Sequence, residues 1–75
     1  LNISIVDIVV YLRVSNGKTR VSLRSKNNCD VLTIAKYFNG GGHLLKAGCD
    51  CDTTKIKKAK KMILKHIKDN KGYNE

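Results

Sequence analysis

Between residues 5 and 14 the chain reads Ile-Val-Asp-Ile-Val-Val-Tyr-Leu-Arg-Val, apolar at odd and even positions alike. Branched and aromatic side chains in that density favour an extended backbone, and apolar residues at both parities predict a strand covered on both faces. Asn16-Gly17 follow, the dipeptide that marks a two-residue hairpin most strongly. The return strand, residues 19–25, alternates instead, with Val21 and Leu23 on one side and Arg20, Ser22 and Arg24 on the other. One face of the hairpin is therefore core, and the other carries chemistry.

Beyond residue 26 the period changes. Asp30 is placed to cap a short helix whose apolar positions, Val31, Ile34, Ala35 and Phe38, fall at i, i+3, i+4 and i+7. Asn39 and the glycines after it stop that helix. Residues 45–51 read as a third strand, broken by Gly48 where another backbone or a ligand can come close. Thr53 or Thr54 then caps the longest helix, which runs to about residue 69 with Ile56, Ala59, Met62, Ile63 and Ile67 as its buried stripe. Lys55, Lys57, Lys58, Lys60, Lys61, Lys65 and Lys68 form the outer face, and His66 lies at the stripe's edge, where a packing role fits best. Residues 71–75 are expected to fray. The order β-β-α-β-α predicts an α+β or α/β-like sandwich, a small mixed sheet with helices packed on it. A helix joining the second strand to the third predicts a right-handed parallel crossover, which would gather Ser25 and residues 41–43 at one sheet edge.

Size and charge narrow the function. Seventy-five residues make one domain, and a chain this small buries only about 60% of its unfolded surface, leaving little room for an enclosed active site. The opening residues 1–10, interrupted by Asn2, Ser4 and Asp7, are too short and polar to span a membrane and lack the basic start of a signal peptide. With no initiator Met, the chain reads as a fragment of a longer cytoplasmic protein. Fifteen Lys and Arg against six Asp and Glu give a formal charge of +9, which attracts polyanions without defining a site. Three cysteines, at 29, 49 and 51, argue against a secreted disulfide framework. The spacing of Cys49 and Cys51 is not that of a zinc knuckle, so core packing is the favoured role and no metal is assigned.

The run Asn39-Gly40-Gly41-Gly42-His43 holds three of the six glycines beside one of two histidines. Glycines free the backbone to turn its N–H groups toward a ligand, and a histidine beside them can donate to an anion or move a proton. The same run could simply end a helix. Neighbouring motifs decide between the two. Taken with Arg20-Val21-Ser22-Leu23-Arg24-Ser25 upstream, Ile34-Ala35 before it and Leu44-Leu45-Lys46-Ala47-Gly48 after it, the run resembles the DHH-associated C-terminal domain of DHH-family phosphoesterases. It is similar in particular to the bacterial enzymes that degrade very short RNA and dephosphorylate 3′-phosphoadenosine 5′-phosphate, and to relatives that open cyclic dinucleotides. The likeness covers nearly the whole chain, about residues 6–67, within a single domain whose core is expected over about residues 6–69.

The resemblance implies that Arg24, Ser25, Gly40, Gly41, Gly42 and His43 hold the nucleotide and its phosphate, facing a catalytic N-terminal domain across a cleft. It also implies two manganese ions in that domain and leaves room for a homodimer of the full-length protein. Arg20, Lys36, Ala47 and Gly48 are secondary candidates. Lys46 departs from the small residue common in the family, which bears on substrate preference. No catalytic residue is assigned within the chain, because a two-metal site needs converging carboxylates and imidazoles, and five scattered Asp with two His do not converge. Short RNA or DNA, or a nucleotide, is the expected partner, with no membrane involved. An alternative is a non-catalytic nucleic-acid module like the related domain at the end of alanyl-tRNA synthetases, gripping a backbone through the lysine face. Three or four charge-assisted hydrogen bonds at about 1.5 to 3 kcal/mol each, less the association cost, leave affinity near the millimolar range.

Overall fold

The computed structural model describes residues 2–5 and 7–69, so the expected fraying at 71–75 lies outside the described residues. Five strands and two helices follow in the order β1 (Asn2–Ile5), β2 (Ile8–Ser15), β3 (Lys18–Ser25), α1 (Leu32–Tyr37), β4 (Gly41–His43), β5 (Lys46–Cys51) and α2 (Ile56–Asp69). The strands form one sheet in the order β1-β2-β3-β5-β4, each neighbouring pair antiparallel. This is the expected α+β class, with two strands more than the sequence pattern suggested.

The apolar opening is two strands, not one. The chain reverses near Asp7, whose carbonyl accepts the Lys26 N–H at 2.7 Å and whose carboxylate accepts the Asn27 amide at 2.6 Å. A short polar residue satisfied in this way ends a strand despite its apolar neighbours. The expected hairpin is present: Asn16 and Gly17 both take positive φ, 51° and 76°, as a turn matched to strand twist requires.

Core and exposure divide the sheet cleanly. Ile8, Val10 and Leu12 of β2, Val21 and Leu23 of β3, and Ala47, Cys49 and Cys51 of β5 are buried together with Ile34, Ala35, Ala59, Ile63 and Ile67 of the helices. Both helices thus cover the same face. The opposite face is bare, and Tyr11, Arg13, Arg20 and Arg24 are exposed on it. The expectation that residues 5–14 are covered on both sides is corrected here, since β2 alternates as β3 does. Within α2 the stripe is narrower than expected, because Met62 is exposed; Phe38, beyond α1, packs half-buried against the core.

The expected parallel crossover is absent. Strand β5 runs antiparallel to β3, in the register Val21 opposite Cys49, because α1 leads first into β4 and a two-residue turn at Leu44-Leu45 brings the chain back as β5. That turn is tied down by its carbonyls, which accept the Ser25 N–H (to Leu45) and the Val31 N–H (to Leu44), both at 2.9 Å. Asp30 caps as expected, its carboxylate accepting the Thr33 N–H at 3.1 Å and the Thr33 hydroxyl at 2.8 Å. Thr53 receives the Lys55 N–H at 3.1 Å just ahead of α2.

Candidate functional site

Gly40, Gly41 and Gly42 do not form a loop. Gly40 closes the end of α1, donating its N–H to the Ala35 carbonyl at 2.7 Å, and residues 41–43 are the edge strand β4, paired with β5. Each glycine has its own reason. A Cβ on Gly40 would lie 2.1 Å from the Gly48 carbonyl oxygen and 2.6 Å from the Cys49 Cβ. Gly42 takes φ 139°, and its Cβ would lie 2.7 Å from the Ala47 Cα. At Gly41 a Cβ would meet nothing within 4 Å. The first and third glycines are thus demanded by packing, and the middle one borders open space.

That space belongs to a shallow depression of about 340 Å³ on the bare face, lined by Arg20, Ser22, Arg24, Gly41, Gly42, His43, Lys46, Ala47 and Gly48. Strand alternation explains the gathering. Arg20, Ser22 and Arg24 share one side of β3, and their partners across the ladder are Asp50, Gly48 and Lys46 of β5. Gly41 and His43 then stand opposite Gly48 and Lys46. Residues far apart in sequence meet because antiparallel strands keep side chains in rows.

The cations differ in their freedom. Arg20 is paired with Asp50, Nη1 to Oδ1 3.2 Å, with both side chains about half exposed. The Arg20 guanidinium also lies over Gly48, 3.4 Å from where a Cβ would stand. Arg24 has its guanidinium 5.6 Å above the centre of the Tyr11 ring, an attraction of about 0.5–1 kcal/mol at an exposed site. Neither Arg24, Lys46 nor His43 has an acidic partner among the described residues. A planar fork, a flexible ammonium and an imidazole therefore converge around a backbone with no side chain, an arrangement that suits an anion with several oxygens.

Other expected site residues lie elsewhere. Ser25 follows Arg24 directly, so it points to the opposite side of the sheet; its hydroxyl accepts the Cys29 N–H at 2.6 Å and holds the turn after β3. Gly40 is outside the depression and makes the close approach that seats β4 on β5. Ala47 lies on the core side of β5, buried, and meets the site only along its backbone. Lys36 is exposed on α1 and does not line the depression. Conversely, Ser22 and Lys46 were not among the expected site residues. Ser22 was legible from its place between Arg20 and Arg24 in an alternating strand, and Lys46 from lying two residues before Gly48 on the same strand parity.

His66 belongs to α2 on the covered face, where it stacks on Tyr37 with ring centres 4.1 Å apart and meets Phe38 edge-on at 5.6 Å. Burial holds its imidazole below the usual histidine range, Asp69 partly opposing the shift. Burial pushes the Cys49 thiol up to about 12, with Cys51 and Asp50 adding to the effect, and raises Cys51 as well. These are inert core thiols. Among the described residues, no three His, Cys, Asp or Glu side chains approach closely enough to hold a metal ion. No helix among them is long and apolar enough to cross a membrane.

The family description of the DHHA1 domain matches residues 1–69. A protein of Aster yellows witches'-broom phytoplasma (strain AYWB), described as a membrane protein-large ribosomal subunit bL9 fusion protein, is 38% identical over 58 residues. That match takes in 76% of this chain and 7% of the relative.

Proposed function

We propose, from the premise that this chain belongs to the DHHA1 domain family, that its bare sheet face binds the phosphate of a nucleotide or short oligonucleotide and presents it to a separate catalytic domain. The observation that carries the reading is the convergence of Arg24, His43 and Lys46, none with an acidic partner among the described residues, around the open side of Gly41. Arg24 supplies two parallel N–H donors, Lys46 a point charge, and His43 an N–H toward a non-bridging oxygen. The strand backbone at Gly41 lets the phosphate approach without a Cβ in its way.

In this reading the chain is one wall of a cleft. Bond cleavage falls to an N-terminal DHH domain, where two manganese ions would polarise the phosphodiester and activate water; none of that chemistry is assigned to residues of this chain. The exposed leucines Leu44 and Leu45 form the turn between His43 and Lys46 and offer an apolar surface on which the second domain can close. Substrates of this class are short oligoribonucleotides, 3′-phosphoadenosine 5′-phosphate and cyclic dinucleotides. The depression is open and shallow, which fits weak binding by one wall alone, near the millimolar range.

The lysines of α2 support a second reading, a nucleic-acid module that grips a long backbone. Salt separates the two. Affinity for a long single strand would fall with a slope of about −0.7 per neutralised phosphate, whereas a site for one or two phosphates gives a shallow slope. Calorimetry with 5′-phosphorylated diadenylate tests the first reading: Arg24→Ala and Lys46→Ala should each weaken binding about tenfold or more, as loss of a charge-assisted hydrogen bond does. Unchanged affinity in both variants would refute it.

A further inference from the structure

The strand register sets the bare face in rows. Tyr11 stands opposite Ser22, Ser22 opposite Gly48, and Gly48 opposite Gly41. From Ser22 to Gly41 the row's own side chains are nothing larger than a hydroxymethyl group, so it floors a trough running across the strands, with the Arg20 guanidinium leaning over it from the flanking row at Gly48. One flanking row is Val9, Arg24, Lys46 and His43, and the other begins Arg13, Arg20 and Asp50. From β2 to β4 there are three inter-strand steps, about 14 Å in all, a span suited to an extended nucleoside monophosphate.

The two ends of the trough differ chemically. At the β4 end lie Gly41, His43 and Lys46, with charge and donors but no ring other than the imidazole. At the β2 end lies Tyr11, the one Tyr or Phe on this face among the described residues, since Tyr37 and Phe38 belong to the covered side. Tyr11 is 36% exposed, and a flat cation, the Arg24 guanidinium, already lies over its ring. A planar group of the same shape could take that cation's place over the ring. Ser22, midway along the floor, lines the depression with no side-chain partner among the described residues, placed for a sugar hydroxyl.

We infer that the trough fixes the direction of the bound nucleotide, with its base stacked at Tyr11 and its phosphate at Gly41, His43 and Lys46. Arg24, lying between the two ends, exchanges its place over the Tyr11 ring for a phosphate oxygen when the base arrives. Tyr11 thereby becomes the residue that distinguishes a nucleotide from a bare sugar phosphate. The inference rests on the phosphate site proposed above and adds the base site and the polarity.

The test uses the 75-residue chain, labelled with ¹⁵N, and two probes: adenosine 5′-monophosphate and ribose 5-phosphate. Both should move the amides of residues 41–46, and only the nucleotide should move those of Tyr11 and Ser22. Tyr11→Ala should weaken the nucleotide about fivefold or more, the loss expected of one stacked base, and leave ribose 5-phosphate within about twofold. Tyr11→Phe should retain nucleotide binding. Equal affinity of the wild-type chain for the two probes would overturn the inference while leaving the phosphate site standing, as would equal loss of both in Tyr11→Ala. If neither probe moved residues 41–46, the phosphate reading would fall and this inference with it. Should Tyr11→Ala lose its dispersed spectrum, the wild-type contrast between the probes decides alone.

Discussion

Three consecutive glycines carry three different constraints, and substitutions should separate them. Gly40→Ala places a methyl group against the Gly48 carbonyl and the Cys49 Cβ; backbone on one side and core on the other cannot yield, so a loss of about 3 kcal/mol or more is expected. Gly41→Ala meets nothing and should leave the denaturation midpoint nearly unchanged, within about 1 kcal/mol of stability, while abolishing measurable phosphate binding. Urea titration of the two variants beside a ligand titration reads both effects, and a Gly41→Ala chain that binds normally would show that this glycine borders no ligand. Arg20 and Asp50 offer a second contrast. Their pair is exposed and contributes at most about 1 kcal/mol to stability, so Asp50→Asn should barely change folding, yet it should tighten phosphate binding by freeing a guanidinium at the rim of the depression.

At the scale of the elements, α1 and α2 meet through Tyr37, Phe38 and His66, and this contact has a pH dependence. The folded imidazole is held below the value of about 6.5 that it has in the unfolded chain. Above that value both states are neutral and the contact contributes fully. As the pH falls through 6.5 toward the depressed folded value, the unfolded chain takes up the proton first and stability declines. Thermal midpoints measured between pH 8 and pH 5 should fall through that window, and His66→Phe should flatten the decline. Cysteines report the sheet: Cys49 and Cys51 are buried at 1% exposure each on the core side of β5, so native chains should resist a thiol reagent at pH 8 that labels them rapidly in denaturant.

Much of this element layer was legible in the amino acids. Asn16-Gly17 and the alternation from Arg20 to Arg24 gave the hairpin and its two faces, and the stripe Ala59, Ile63, Ile67 gave the packing side of α2. The division at Asp7 was not, because the turn is made by partners at Lys26 and Asn27 that are remote in sequence. Nor was β4 readable, since glycines have no strand propensity and residues 41–43 become a strand only through pairing with β5. The site inherited the same limits. Arg24, Gly41, Gly42 and His43 were placed by pattern and by likeness together, whereas Ser25 falls on the far side of the sheet because adjacent strand residues face opposite ways.

Over the whole molecule most basic residues among those described lie either on the lysine-covered helix α2 or on the bare sheet face. A formal charge of +9 draws polyanions to either surface, so attraction alone does not distinguish them. Binding of the dinucleotide to the sheet should change little between about 50 and 200 mM salt, since one or two phosphates release few counterions, whereas a long single strand on α2 would lose affinity steeply. The most direct measurement is an amide map of the ¹⁵N-labelled chain titrated with 5′-phosphorylated diadenylate. Arg24, Gly41, Gly42, His43 and Lys46 should shift together on one saturation curve while Lys57, Lys61 and Lys65 stay in place. Shifts confined to α2, with residues 41–46 unmoved, would contradict phosphate binding at the sheet face.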